Sequence, residues 1–417
     1  MTERLAIDGG TPTRSTPLDY RRGASALGDE ERDAVLEVLE SKSLFRYYGP
    51  DLRHRVDGFE AAIRGYLSVP HALGLSSGTA ALRAGLAALG VGPGDEVIVP
   101  AVTFIASANA VVTSGAVPIF ADVDTSLGID PAALDSLISE RTAAVMPVHL
   151  ENIVCDMDAI LAVTARRGVP VIEDACQAIG ATYHDRAAGA LGDMGAFSLQ
   201  LEKNITAGEG GILVTADEHL YLRAARYTDQ GGQFVTAKGG VRGTELDDPF
   251  VGENLRMTEI AGAIADVQLR RLPGLISAMK DAKAGILDRL GPRDGLTLRW
   301  APDPAGDGSS SILWYVPQAA TAERFVAALI AEGIPSARLY DGLPVYSHRS
   351  LRERRTISEK RSPWRNHPVD VTYPIGLCPA AEDLSARAVI VAVGPGYTKA
   401  DLDDVAAAVA KVADVLL

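Results

Sequence analysis

From Asp29 onward the chain alternates between two hydrophobic periods. Apolar residues three and four apart, the spacing of one helix face, run over Glu30 to Leu39, Phe59 to Leu67, Thr79 to Leu89, Ser107 to Thr113, Pro131 to Ile138 and Asp156 to Arg167. Between the later helices lie short apolar runs bounded by turn residues: Glu96 to Pro100, Val117 to Val123, Ala143 to Val148 and Val169 to Ile172. Strands alternating with helices in this way predict an α/β fold, a large and mostly parallel sheet with helices on both faces. Gly90, Gly115 and Gly168 close three of the helices, and Asp130 is placed to cap the one that starts at Pro131.

The pattern then changes. Ala196 to Leu199 and Gly211 to Thr215 read as strands with no helix between them, and Asp217 to Thr228 as a helix. Gln230 to Glu253 holds six glycines and little periodicity, which predicts a long functional or interface loop. Met257 to Leu290 is helical, with Pro273 expected to break or kink it. After Gly291 and Pro292 a smaller α+β unit begins, with strands at Leu296 to Trp300 and Ile312 to Pro317 and helices at Ala322 to Ala331 and Asp401 to Leu417. Thr398 and Asp401 form a capping-box pattern before the last helix. The expected division is an N-terminal arm (1–28), a large domain (29–290) and a small C-terminal domain (291–417).

Composition narrows the function classes. The 417 residues are 47% apolar, enough for a large core. Acidic residues number 54 and basic residues 40, a net charge of −14, which speaks against a nucleic-acid partner. Cys155, Cys176 and Cys378 make neither a disulfide framework nor zinc-site spacing, so no metal is expected. No run approaches the roughly 18 apolar residues of a membrane span. Met1 to Pro17 lacks the apolar core of a signal peptide. A cytoplasmic protein with no membrane partner is the expectation.

In parallel sheets ligands collect at the carboxyl ends of the strands, and three constellations fall near such ends. Ser76-Ser77-Gly78-Thr79 precedes a helix, where free N–H groups and the helix dipole favour a phosphate; an ordinary N-cap is the plainer reading. Val171-Ile172-Glu173-Asp174 puts a carboxylate at the tip of an apolar strand, able to hold a protonated heteroaromatic nitrogen or simply a surface ion pair. Lys203 lies between a strand and the turn Gly208-Glu209-Gly210-Gly211, placed as an imine-forming amine, although a lone lysine is usually solvated. Together they match what pyridoxal phosphate requires.

The runs SSGTAAL, GVGPGDEVIVPAVTF, GAVPIFADVD, VIEDACQAIGATY, GDMGAFSLQLEKNITAGEGG and GENLRMTEIAGAIADVQL, in this order, resemble the DegT/DnrJ/StrS sugar aminotransferase family over about Asp29 to Leu417. The resemblance implies the type I pyridoxal phosphate transferase fold and ping-pong transamination from an amino acid, glutamate or glutamine, to a keto-sugar or keto-cyclitol. It implies Lys203 as the Schiff-base lysine and proton shuttle, Asp174 on the pyridine nitrogen, and Gln177 near the ring oxygen. Gly78, Thr79 and Ser198 would bind the phosphate, and Phe104 would stack on the ring. Asn254 would reach the phosphate of the neighbouring subunit, so a homodimer with composite sites is implied.

Two segments depart from the family pattern, Leu44 to Arg55 and His149 to Cys155. Both are expected to border the substrate cavity, with Arg46 and Glu151 affecting the acceptor. Competing readings are another pyridoxal phosphate reaction on the same scaffold, a dehydratase or an aminobenzoate-forming synthase, and a catalytically silent regulatory protein. The family's sugar dehydratases carry His where Lys203 stands, and an intact Lys203, Asp174 and Gln177 argue against silence.

Overall fold

The structure is a computed structural model describing residues 4–232, 234 and 250–417; most of the predicted loop 230–253 lies outside the described residues. Four strands and three strands are joined into one layer by the parallel bridges Val145–Val171 and Val148–Asp174. The spatial order is His71–Leu75, Gly211–Thr215, Met194–Ser198, Ile172–Asp174, Thr142–Val145, Glu96–Pro100, Val117–Ala121. Gly211–Thr215 runs antiparallel to both neighbours, and the other pairings are parallel. The central strands are buried along their whole length, which is why they read as continuous apolar runs and not as alternating ones.

His71–Leu75 (HALGL) was not anticipated from the sequence, because it is short and interrupted by Gly74. Its close neighbours explain that glycine: a Cβ there would sit 3.1 Å from both Met257 and Val56. A second, antiparallel sheet follows, in the order Thr297–Leu298, Ser311–Tyr315, Ala388–Ala392, Ser336–Arg338. No helix among the described residues is long and apolar enough to cross a membrane.

The helix Glu259–Leu290 links the two sheets and runs unbroken through Pro273. Proline removes one internal hydrogen bond, but Leu269, Leu272, Ile276 and Met279 are buried on either side of it and hold the helix to the core. Toward its start the helix packs on Asp29–Ser41 and Arg55–Leu67, and toward its end on Lys399–Leu416. The last helix begins with the expected capping box: Thr398 and Asp401 bond each other's backbone N–H.

Candidate active site

A cavity of about 550 Å3 opens at the carboxyl ends of the parallel strands. It brings together Gly78, Thr79, Phe104, Asp174, Gln177, Ser198 and Lys203, seven of the eight residues that the resemblance assigns to the cofactor.

They arrive from four strand ends: Gly78 and Thr79 after His71–Leu75, Phe104 after Glu96–Pro100, Asp174 and Gln177 at the end of Ile172–Asp174, and Ser198 and Lys203 at the end of Met194–Ser198. Asp174 ends Ile172–Asp174 and is buried. Its Oδ2 accepts 2.7 Å from Ser107 Oγ, and its Oδ1 accepts 3.1 Å from the Cys176 N–H. Ser107 is in turn 2.7 Å from Thr103 Oγ1. Ser198 ends the adjacent strand, and Phe104 directly precedes the helix Ile105–Thr113. Phe104 is 56% exposed at the cavity, an apolar ring face left for something planar to cover.

Helix Gly78–Ala88 starts at the cavity wall. Ser77 caps it by accepting from Ala80 N, and the first-turn N–H groups of Gly78 and Thr79 have no acceptor within the helix. Gly78 is required for close packing: a Cβ would lie 2.8 Å from Cys176 Sγ and 2.8 Å from Ser198 Cβ. Burial and the Asp174 carboxylate push the Cys176 thiol well above its ordinary range, so it stays protonated and is a wall, not a nucleophile.

Lys203 sits on the turn after Met194–Ser198, with its N–H bonded to Gln200 O at 3.0 Å. Among the described residues its ammonium has no hydrogen-bond or ion-pair partner. Gln177 is fixed at both ends: Oε1 accepts from Glu151 N–H at 3.1 Å, and Nε2 donates to Tyr340 Oη at 3.0 Å.

Sequence reasoning missed Ser107, Tyr340 and Arg22, all of which line the cavity. Tyr340 comes from the C-terminal part of the chain on a left-handed turn, with φ at 46°. Arg22 belongs to the N-terminal arm. Gly23 N–H donates to Lys203 O at 3.2 Å, and a Cβ at Gly23 would lie 2.7 Å from Ile205 Cα. The arm is thus pinned beside the lysine.

Of the two divergent segments, one meets the expectation. Glu151 lines the cavity, in a left-handed conformation with φ at 49°. Arg46 does not, and the expectation is corrected. Its guanidinium is buried and holds both oxygens of Glu60 at 2.8 Å and Asp57 at 2.9 Å. A charge at that depth needs a carboxylate, and the helix Arg55–Leu67 supplies it. Asn254 is exposed and lies outside its own chain's cavity.

A mostly parallel sheet with a lysine, a carboxylate and a helix N-terminus at its strand ends is the architecture of the type I pyridoxal phosphate transferases. DesV of S. venezuelae, solved in complex with a ketimine intermediate, superposes with a TM-score of 0.81 at 30% identity, over 97% of this chain and 99% of that one. The chain belongs to the DegT/DnrJ/EryC1/StrS aminotransferase family, whose profile matches residues 25–410. Aminotransferases of this family depend on pyridoxal phosphate. The L-glutamine:2-deoxy-scyllo-inosose aminotransferase of Micromonospora echinospora is 34% identical over 93% of this chain and 92% of its own length. The GDP-perosamine synthase of Caulobacter vibrioides is 41% identical over 61% of this chain and 66% of its own. The structure of 3-amino-5-hydroxybenzoic acid synthase also superposes, with a TM-score of 0.81 at 27% identity, over 96% of this chain and 100% of that one.

Proposed function

We propose that this chain is a pyridoxal phosphate-dependent aminotransferase that moves an amino group from glutamate or glutamine to the ketone of a sugar or cyclitol ring. The observation that carries the reading is the unpaired Lys203 ammonium in the same cavity as the buried Asp174 carboxylate and the start of helix Gly78–Ala88. The named activities of the M. echinospora and C. vibrioides relatives support the substrate class.

The donor set fits the cofactor. Gly78 and Thr79 N–H groups, with the Thr79 and Ser198 hydroxyls, would hold a phosphate at the helix start. The Phe104 ring would cover one face of the pyridine. When bound, pyridoxal phosphate supplies an electrophilic carbon for the donor amine and a ring that accepts carbanion charge. The chain's own residues set the protons. Asp174, oriented by Ser107, would hold one on the ring nitrogen. Lys203 Nζ would take one from the α-carbon of the donor and deliver it, across the bridging nitrogen, to the cofactor's former aldehyde carbon. Tyr340 and Glu151 keep Gln177 in place beside them.

The same reading proposes a homodimer in which Asn254 completes the partner's phosphate site. It also proposes that the two sheets mark a large domain (29–290) and a small one (291–417).

The test is to load the protein as its pyridoxamine form and offer a panel of keto-sugars and keto-cyclitols, following loss of the amine form. At least one acceptor should discharge wild type, and Lys203→Ala should give neither the visible Schiff-base absorbance nor turnover. If no acceptor discharges it, the likeness to 3-amino-5-hydroxybenzoic acid synthase makes an aminobenzoate-forming reaction on the same scaffold the next reading.

A further inference from the structure

A second cavity, of about 650 Å3, lies between the helix Glu259–Leu290 and the strand Ser311–Tyr315. Ile153 reaches it from the segment whose Glu151 lines the catalytic cavity, so that segment lies between the two spaces. Nothing in the transamination uses it.

Its wall carries an unusual charge. Arg299 is only 6% exposed, yet no carboxylate among the described residues lies within 4.0 Å of its guanidinium. Nε donates to Ser126 O at 2.7 Å and Nη1 to Leu150 O at 2.9 Å. Those are two neutral acceptors for a group with five N–H donors. Nη2 makes no hydrogen bond among the described residues, and Arg299 lines the cavity. Asp307 and Glu151 act on it only from beyond 4.0 Å, and a buried guanidinium with a free N–H edge and no carboxylate in contact is costly unless an anion meets it.

The rest of the wall has the same sense. Among the described residues Lys280 Nζ is bonded only to the Ala305 carbonyl, at 2.7 Å. The one carboxylate, Asp307, is already spent: it pairs with Lys283 at 2.6 Å and accepts from Ser309 N–H at 2.6 Å. With Lys283 and Asp307 paired, Arg299 and Lys280 remain as two cations on the wall, in a chain whose net charge is −14. Trp300 and Leu298, 47% and 44% exposed, add apolar surface to the same wall.

We propose that this cavity binds a small organic anion, a carboxylate or phosphate monoester on an apolar ring or short chain. The anionic head would meet Arg299 Nη2 and the Lys280 ammonium, and the body would lie on Trp300 and Leu298. This is a binding site beyond the aminotransferase reading and does not rest on it.

The probes are benzoate and phenyl phosphate, titrated into the protein saturated with pyridoxal phosphate and followed by calorimetry and tryptophan emission. At least one should bind saturably, one per chain, and change the emission. Arg299→Gln also removes the Ser126 and Leu150 contacts, so the deciding variant is Lys280→Gln with Trp300→Ala, which removes only side chains at the cavity surface. It should weaken binding by about tenfold or more, as expected for losing a charge-assisted contact, lose the emission change, and leave transamination at the wild-type rate. Lys203→Ala should bind as wild type does. The proposal is overturned if neither probe saturates, if the double variant binds with wild-type affinity, or if binding disappears with Lys203→Ala, which would place the probe in the catalytic cavity.

Discussion

Ser107 Oγ donates to the Asp174 carboxylate at 2.7 Å, and the Cys176 N–H takes the other oxygen at 3.1 Å. The carboxylate is thereby locked in rotation, with Thr103 backing Ser107 from behind. Ser107 is a positioning residue: it touches Asp174 and acts through it.

Ser107→Ala should therefore leave the protein folded and able to bind cofactor, but lower kcat. A hydrogen bond to a charged group is worth about 1.5–3 kcal/mol, or roughly tenfold to a hundredfold in rate. Thr103→Val, one step further from the carboxylate, should cost less. Steady-state kinetics on both variants checks the order, and equal losses would place Thr103 and Ser107 in direct and independent contact with the reacting groups.

Much of this site was legible because its residues follow strong local patterns. Asp174 ends an apolar strand, and Ser77 to Thr79 start an unambiguous helix. Lys203 stands just before a glycine-rich turn. Tyr340 was not legible, because its neighbours carry no periodicity and Gln177 lies 163 positions away. Arg22 reaches the cavity only because Gly23 allows the arm to touch the backbone at Asn204 and Ile205. Arg46 was misread for a different reason. It was expected at the substrate cavity because its segment departs from the family pattern, and only the folded helix bearing Glu60 shows that this arginine is buried and paired. Pro273 looked like a break because local chemistry forbids one hydrogen bond; the packing around Leu272 and Ile276 outweighs it.

Glu151 and Arg46 should now separate cleanly. Glu151→Gln keeps size and removes charge at the cavity wall, and should shift the acceptor KM several-fold with little change in the donor KM. Arg46→Ala removes the guanidinium from the buried Glu60, leaving it the Gly74 N–H, which costs up to about 3–5 kcal/mol, and should lower Tm with no change in acceptor KM for the folded fraction. Thermal unfolding and two-substrate kinetics on the same preparations decide it; an acceptor effect from Arg46→Ala would reverse the correction made above.

Glu332 ties down the N-terminal arm. Its carboxylate accepts from the Ala6 and Thr13 N–H groups at 2.8 Å and pairs with Lys411 at 3.0 Å. Burial alone would raise its pKa, but these donors outweigh burial and hold it below the ordinary 4.5. A depressed folded pKa contributes stability that is complete above the unfolded value and is lost as pH falls through the folded one. The arm should thus stay docked at neutral pH and loosen below about pH 4. Hydrogen exchange over residues 4–17 against pH reports this directly. Glu332→Gln should show faster exchange already at pH 7 and a flatter acid dependence; protection that does not respond to the substitution would remove Glu332 from the docking.

Asn254 gives the sharpest test of the proposed dimer, because it is exposed and absent from its own chain's cavity. If it serves the partner, each active site takes Lys203 from one subunit and Asn254 from the other. Lys203→Ala and Asn254→Ala chains, co-expressed with different tags and purified as the hybrid, would then hold one site with both defects and one site with neither. Activity of the hybrid should approach half that of wild type and exceed the mean of the two parent variants. If Asn254 acted within its own chain, every site in the hybrid would carry one defect, and activity would stay at that mean. Because the hybrid is isolated by its two tags, subunit exchange does not enter the result, and the two arrangements predict different rates from the same preparation.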